Sequence, residues 1–270
     1  MKHNIVLITG PGLNHRYFID RLNREFPIEC VFIEEVTYPN FTSDSPQHQK
    51  AWEWFFRRRE TYEQNTFADS ESWTRKNQSK TISVPIGQLN TANTLKLLEA
   101  QQPNIIILFG SSLVGPEIMN HFPNQILNLH VGISRQYRGS SCNFWPIHDG
   151  RLDCLGATLL TINAGIDTGE ILAQATIEIE EKDTEQSLMG KSLILGVDLT
   201  IQVVHQWFKD KCASLPLERN GKLFQKKDFT PEAVSKVKNI VESGQLASLI
   251  QAHRKTGPKT SKRTEPGRHS

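Results

Sequence analysis

Residues 105–110 read Ile105-Ile106-Ile107-Leu108-Phe109-Gly110, an unbroken apolar run that stops at a glycine. β-Branched and aromatic residues favour strands, and a strand without apolar and polar alternation is buried on both faces, as in the middle of a parallel sheet. A second run, Ile5-Val6-Leu7-Ile8, leads through Gly10-Pro11-Gly12 into a predicted helix over residues 14–25. Together the two runs predict an α/β fold, a Rossmann-like doubly wound sheet of mostly parallel strands.

The remaining elements follow from apolar spacing. Predicted strands cover residues 30–34, 81–84, 126–130, 155–162 and 170–177, and predicted helices cover 47–66, 91–101 and 185–208. Residues 221–229 are expected to form a short hairpin or an extended arm, and Pro231 to open a helix. The predicted organisation is a main domain over residues 1–212, a small C-terminal appendage over 213–254, and a basic disordered tail over 255–270.

Composition narrows the functional classes. The formal charge is +2 for 270 residues, and the basic excess lies in the tail rather than on a face with interleaved aromatics, so a nucleic-acid partner is disfavoured. The four cysteines (Cys30, Cys142, Cys154 and Cys212) are scattered, which suggests neither a metal site nor a disulfide framework. The apolar run at Ile5 is too short for a signal peptide or a membrane span. We therefore expect a cytoplasmic protein without metal, and we allow for a homodimer.

The chemistry-bearing residues lie near the middle of the chain. The strand predicted over residues 126–130 carries Asn128 and His130, whose side chains share one face because alternate residues of a strand do. An amide donor can stabilise the oxyanion that forms when a carbonyl is attacked, and an imidazole can exchange the proton. Asp167, in the loop Gly165-Ile166-Asp167-Thr168-Gly169, could set the tautomer of the His130 ring. Taken alone, the same residues also fit a capped loop and a structural histidine.

A wider set of motifs decides between these interpretations. It comprises Phe109-Gly110-Ser111-Ser112-Leu113-Val114, Asn128-Leu129-His130, Tyr137-Arg138-Gly139, Gly156-Ala157-Thr158 and Asp167-Thr168-Gly169-Glu170-Ile171-Leu172. Together these motifs resemble those of the formyltransferases that use 10-formyltetrahydrofolate as the formyl donor. The resemblance is specific over residues 103–190 and looser before them, and it makes residues 1–212 the catalytic domain.

The resemblance implies a role for each matching position. Asn128, His130 and Asp167 would be the catalytic trio for direct attack of an amine on the formyl carbon. The folate would lie along Ser112, Leu113 and Val114, and against Gly165 and Ile166. Substrate contacts are expected at Gly12, Asn14, Arg135 and Arg138, where an anion could meet backbone N–H groups at the start of the first helix. Arg138 could equally pair with a structural carboxylate.

One segment departs from the family pattern. Members usually have His-Pro-Ser-Leu-Leu-Pro after the catalytic histidine, whereas this chain has Val131-Gly132-Ile133-Ser134-Arg135. Proline restricts its own backbone and that of the preceding residue, so we expect a more mobile loop here, with Arg135 adding a charge beside the amine site. The departure bears on the identity of the substrate more than on the chemistry.

Several acceptors remain open. A small-molecule amine is preferred, above all a nucleotide-linked amino sugar, because residues 213–254 have few strand signals for the barrel domain of methionyl-tRNA formyltransferases. A 10-formyltetrahydrofolate hydrolase is a further alternative, as is a catalytically silent folate-binding module. Of the other reactive side chains, Cys142 is interpreted as a buried small residue rather than a nucleophile. Arg57, Arg58 and Arg59 are interpreted as the solvated face of a helix, with a substrate-phosphate role as the alternative.

Overall fold

A computed structural model describes residues 3–35, 43, 45–74, 79–218 and 221–256 of the chain. Its strands are β1 (Ile5–Thr9), β2 (Ile28–Glu34), β3 (Lys80–Val84), β4 (Ile105–Phe109), β5 (Ile126–His130), β6 (Tyr137–Gly139), β7 (Gly156–Thr161), β8 (Ile171–Thr176) and β9 (Lys222–Phe224). Its α-helices are α1 (Leu13–Glu25), α2 (Pro46–Thr74), α3 (Ala92–Glu99), α4 (Pro116–His121), α5 (Trp145–His148), α6 (Glu185–Trp207), α7 (Pro231–Glu242) and α8 (Gln245–Lys255).

Seven strands form one sheet in the order β3-β2-β1-β4-β5-β7-β8. The first five run parallel, and β7 and β8 continue the sheet in antiparallel fashion. The two apolar runs of the sequence, β1 and β4, are neighbours near its centre, with Ile5 opposite Ile105 and Thr9 opposite Phe109. Every residue of both strands is buried, which confirms the predicted α/β fold with a mostly parallel sheet.

Helices cover both faces of this sheet. Ile5 and Leu7 of β1 belong to the core under α1 and α6, whereas Val6 and Ile8 belong to the core under α3 and α4. The alternation follows from strand geometry, since successive side chains point to opposite faces. The long helix α6 begins at a capping box, in which Thr184 accepts from the backbone N–H of Ser187.

Helix α6 is also long and apolar enough to cross a membrane by length and composition alone. However, 61% of its most apolar window is buried inside the fold. A mostly buried apolar helix is what the core of a globular domain requires, so this feature does not by itself indicate a membrane span.

The C-terminal segment packs against the middle of the chain. β9 pairs in parallel with β6, Tyr137 lying opposite Lys222, so residues 222–224 form an extended arm and not a hairpin. The Phe224 ring stacks on Trp145, with 4.2 Å between centroids. A separate apolar core joins α2, α5, α7 and α8 at this end of the molecule. Pro231 opens α7 as expected, behind a Thr230 cap, whereas α8 was not predicted. Residues 257–270 of the predicted tail lie outside the described residues.

The three arginines of α2 have different surroundings. Arg57 is exposed, and Arg59 forms an ion pair with Glu63, 2.8 Å between Nε and Oε1. Arg58 instead makes a two-pronged ion pair with the fully buried carboxylate of Glu185 at the start of α6, and its guanidinium lies over the Trp54 ring. The interpretation as a solvated face is therefore wrong for Arg58, because a buried carboxylate needs a charged partner.

Candidate active site

Strand β5 presents Asn128 and His130 on the same side, and both reach Asp167. The Asn128 amide donates to Asp167 Oδ1 (Nδ2 to Oδ1, 2.9 Å), and His130 Nδ1 lies 3.2 Å from Asp167 Oδ2. The His130 side chain is 5% exposed and that of Asp167 is 9% exposed. The structure thus brings together three side chains separated by up to 39 positions in the chain.

Asp167 is the centre of this cluster. Besides Asn128 and His130, its Oδ2 atom accepts from the backbone N–H of Gly139 at 2.7 Å. Gly139 has a positive φ of 89°, and a Cβ there would lie 2.1 Å from the backbone oxygen of Phe224. Only glycine fits this approach to β9, so Gly139, which the sequence gave as part of the Tyr137-Arg138-Gly139 motif without a role of its own, is a site residue.

The loop before β8 presents Asp167 through the backbone conformation of Asp167 itself. Neither Gly165 nor Gly169 has a positive φ; the left-handed residue is Asp167 itself, at φ 50°. Asp is one of the few non-glycine residues that tolerate this region. Space requires a glycine at Gly169, because a Cβ there would lie 1.8 Å from the Thr161 backbone oxygen, whereas at Gly165 the nearest atom is the Thr168 Oγ1 at 2.1 Å, in a side chain that can move.

Both ring nitrogens of His130 face oxygen acceptors. Nδ1 faces Asp167, and Nε2 lies 3.0 Å from the backbone oxygen of Tyr137. The ring is thus held at both nitrogens, and its tautomer decides which of the two donates. If Nε2 releases the Tyr137 oxygen, this nitrogen can donate an N–H to a developing oxyanion. Tyr137 is held in turn by its hydroxyl, which donates to Asp149 at 3.1 Å, and burial raises its pKa.

Arg138 supports the loop that carries Asp167. Its Nη1 donates to the backbone oxygen of Ile166 at 3.1 Å, and its Nε donates to the backbone oxygen of Gly221 at 2.9 Å. The guanidinium therefore joins the segment after β5, the Asp167 loop and the C-terminal arm. Among the described residues its partners are carbonyl oxygens and not a carboxylate, and its predicted contact with substrate stays a prediction.

Arg135 differs from Arg138 in having a buried N–H donor without a hydrogen-bond partner among the described residues. Its Nε atom is buried and makes no hydrogen bond within the described residues, and the same is true of the Ser134 hydroxyl. A buried guanidinium N–H without an acceptor is costly, and an incoming anion or carbonyl would satisfy it. This geometry is compatible with the predicted role of Arg135 in binding substrate.

The start of α1 lies at the carboxyl end of the sheet. Gly12 is the N-cap residue of α1, and the Asn14 side chain accepts from the backbone N–H of His15. His15 lies against Gly10 and Gly110, and its Nδ1 accepts from the Gly10 N–H at 3.2 Å. Burial, with the positive charge of Arg59 as a further cause and the Phe109 carbonyl opposing both, lowers the pKa of His15 from 6.5 to about 4. A neutral imidazole therefore lies against Gly10 and Gly110, near the start of α1.

The predicted folate segment follows β4, next to the trio. β4 pairs with β5 so that Phe109 lies opposite Leu129, between Asn128 and His130 in sequence. Ser112 and Leu113 are exposed, and Val114 is half-buried. The Ser112 N–H donates to the buried carboxylate of Glu34 at 2.6 Å, a contact that no local sequence signal indicated.

Cysteine and metal chemistry find little support in the described part of the chain. Burial raises the pKa of the Cys142 thiol far above its ordinary range, with the Asp167 carboxylate adding to the effect. A thiol in that state is a poor nucleophile. No group of three or more His, Cys, Asp or Glu side chains converges there in a way that would hold a metal ion.

Solved structures of formyltransferases resemble this fold. Phosphoribosylglycinamide formyltransferase from Streptococcus pneumoniae TIGR4 superposes with a TM-score of 0.55 at 18% identity, over 77% of this chain and 99% of that one. A 4-N formyltransferase from Francisella tularensis gives a TM-score of 0.55 at 17% identity, over 84% of this chain and 78% of that one. At these identities the likeness shows the fold alone.

Sequence comparison is more specific. The methionyl-tRNA formyltransferase of Finegoldia magna is 29% identical over 122 residues, which is 45% of this chain and 39% of that protein. The corresponding protein of Koribacter versatilis is 32% identical over 120 residues, 44% of this chain and 38% of that protein. The match thus spans about two fifths of these relatives. The family model for formyl transferases matches residues 60–204, more than half of the 270 residues. The chain therefore belongs to the formyl transferase family.

Proposed function

We propose that this protein transfers a formyl group from 10-formyltetrahydrofolate to the amine of a small molecule, with a nucleotide-linked amino sugar as the leading acceptor. The observation that carries the proposal is the buried cluster of Asn128, His130 and Asp167, with two hydrogen-bond donors on one side of β5 and a carboxylate between them. Membership of the formyl transferase family supports the same reaction.

Each member of the trio has a distinct part in this mechanism. The acceptor amine attacks the formyl carbon, forming a new C–N bond, and the formyl oxygen becomes an oxyanion. One N–H of Asn128 is bonded to Asp167, which leaves the second free for this oxyanion, and His130 Nε2 also donates to it after releasing the Tyr137 oxygen. Asp167 orients both donors, and through a water it passes the amine proton to N10 of the folate as the old C–N bond breaks.

Different residues would hold the two substrates. Ser112, Leu113 and Val114 would hold the donor together with Gly165 and Ile166. The acceptor would be held by Arg135, whose buried Nε has no hydrogen-bond partner among the described residues, and by the start of α1 at Gly12 and Asn14. We further propose that the protein works in the cytoplasm without a metal, as a homodimer.

A second acceptor has an observation in its favour. Methionyl-tRNA formyltransferases are among the relatives matched in sequence, so methionyl-tRNA is the alternative. Within the described residues, the segment after 212 forms β9, α7 and α8, and these elements pack against α2 and α5. That arrangement offers no separate β-barrel in the described segment, which is why the small molecule is preferred.

The test is release of tetrahydrofolate from 10-formyltetrahydrofolate, followed by absorbance. The purified protein is incubated with pooled nucleotide-linked amino sugars, amino acids or methionyl-tRNA, and His130→Ala, Asp167→Ala and the surface control His121→Ala are run in parallel. Release that needs an amino sugar, and that fails in the first two variants only, supports the proposal. Release that needs methionyl-tRNA selects the alternative, release without any amine indicates a hydrolase, and folate binding without release indicates a silent module.

A further inference from the structure

Strand β6 contacts the catalytic trio and the loop that presents it. The Gly139 N–H donates to Asp167 Oδ2 at 2.7 Å. The Tyr137 oxygen lies 3.0 Å from His130 Nε2. Arg138, between these two residues, donates to a backbone oxygen of the loop that carries Asp167. All three residues of β6 are therefore engaged at the site, and the position of this strand bears on the geometry of the trio.

The position of β6 depends in turn on β9. Strand β6 is not part of the seven-stranded sheet, and among the described residues its strand partner is β9. The Lys222 N–H donates to the Gln136 oxygen, and the Ser140 N–H donates to the Phe224 oxygen, both at 2.8 Å. Two strands of three residues are only marginally stable as an isolated pair, so this pair needs an anchor in the core.

The Phe224 side chain provides that anchor. It is 6% exposed, whereas the other two side chains of β9 are exposed. Its ring stacks on Trp145, with 4.2 Å between centroids and 13° between planes, and it also faces the Tyr137 ring at 5.9 Å. The Trp145 indole N–H donates to the Ser140 oxygen at 2.8 Å, which fixes Trp145 to the end of β6. Burial of the Phe224 ring therefore holds β9 against β6.

We propose that Phe224 is a positioning residue for catalysis: its ring fixes β9 on Trp145, β9 fixes β6, and β6 holds Asp167 where it orients the other two members of the trio. Phe224 lies beyond residues 60–204, the part of the chain that the family model matches. This inference rests on the proposed function, because the rate that it concerns is the rate of formyl transfer.

The contacts of β6 determine the sign of the effect. The contact between Tyr137 and His130 has to break before His130 Nε2 can donate to the oxyanion. The contacts from Gly139 and Arg138 hold Asp167 and its loop, and the mechanism needs them throughout. A loosened β6 therefore removes more support than obstruction, and we expect the rate to fall.

The experiment measures formyl transfer by Phe224→Ala in the full chain. We expect kcat to fall about tenfold, since misplacing a catalytic group by about 1 Å can cost about a hundredfold. The KM for the amine and the Kd of the donor should change by less than about threefold, because a positioning residue does not touch either substrate. Phe224→Leu, which keeps an apolar side chain without the stacked ring, should lower kcat about threefold. It carries the test if Phe224→Ala does not fold.

Phe229→Ala is the matched control. The Phe229 ring packs in the same apolar core, 4.8 Å from the Phe144 centroid, and none of its recorded ring contacts is with β6. Its removal should also destabilise the fold, but kcat should stay within about twofold of wild type. Nuclear magnetic resonance supplies a readout that stability alone does not move. The Gly139 amide proton, which donates to a carboxylate, should shift upfield in Phe224→Ala and stay in place in Phe229→Ala.

The outcomes separate this inference from the proposed function. Wild-type kcat in a folded Phe224 variant overturns the inference, and so does an equal loss of kcat in Phe229→Ala. A higher kcat also overturns it, because β9 would then restrain His130 through Tyr137. An unmoved Gly139 signal overturns it whatever the rates are. If wild type transfers no formyl group, the proposed function fails, and the Gly139 signal still decides whether Phe224 positions the partner of Asp167.

Discussion

Because His15 is buried, we expect the folded protein to lose stability in mild acid. Its imidazole lies against Gly10 and Gly110, and burial together with the charge of Arg59 lowers its pKa from 6.5 to about 4. In the unfolded chain the ring has its ordinary pKa, so between pH 6.5 and 4 only the unfolded state binds the extra proton. The contribution of this group is complete above pH 6.5 and is lost as the pH falls towards 4.

The size of the effect follows from the pKa difference. A fall from 6.5 to about 4 corresponds to about 3 kcal/mol of unfolding free energy, of which about 2 kcal/mol is lost between pH 8 and pH 5. His15→Asn keeps a side-chain acceptor for the Gly10 N–H but does not titrate. The stability difference between wild type and variant should therefore shrink by about 2 kcal/mol over this pH range.

The assay is urea unfolding at pH 8 and pH 5, with free energies extrapolated to water for each protein. His121→Asn, a surface replacement on α4, is the control and should follow wild type within about 0.5 kcal/mol. If His15→Asn and wild type lose stability in parallel, the ring is either charged in the folded state or accessible to water, and the reasoning is refuted.

Three further predictions concern the site and its support. His130→Ala and Asp167→Ala should each cut formyl transfer by at least about a hundredfold while the circular dichroism spectrum is unchanged, and wild-type rates would exclude the mechanism. Arg135→Ala should raise the KM for the amine more than the Kd for folate, because its buried Nε has no hydrogen-bond partner among the residues that the structure describes; equal effects would count against a substrate role. Arg58→Ala should lower the free energy of unfolding by about 3 kcal/mol, since it strands a buried carboxylate, whereas Arg57→Ala should change it by less than about 0.5 kcal/mol in the same denaturation series.

Local sequence determined the elements that depend on local physics. The apolar runs at residues 5–8 and 105–109 became β1 and β4 because strands buried on both faces need apolar residues at every position. Pro231 began α7 behind its Thr230 cap because proline suits the first turn of a helix. The sequence did not predict the partner of the short strand at residues 222–224, because nothing in the periodicity of an isolated strand indicates which strand it will pair with.

The contributions of sequence and of tertiary structure can also be separated at the site. The sequence by itself put Asn128 and His130 on one face, because strand alternation is a property of the backbone. Only the tertiary structure decided that Asp167 reaches both through a left-handed backbone of its own, and that Arg138 ties its loop to Gly221. It also decided that the Asn90 side chain forms hydrogen bonds with the backbone of Leu113 and Gly115. These contacts join residues far apart in the chain, and they depend on how the sheet and its loops pack together, which no local pattern records.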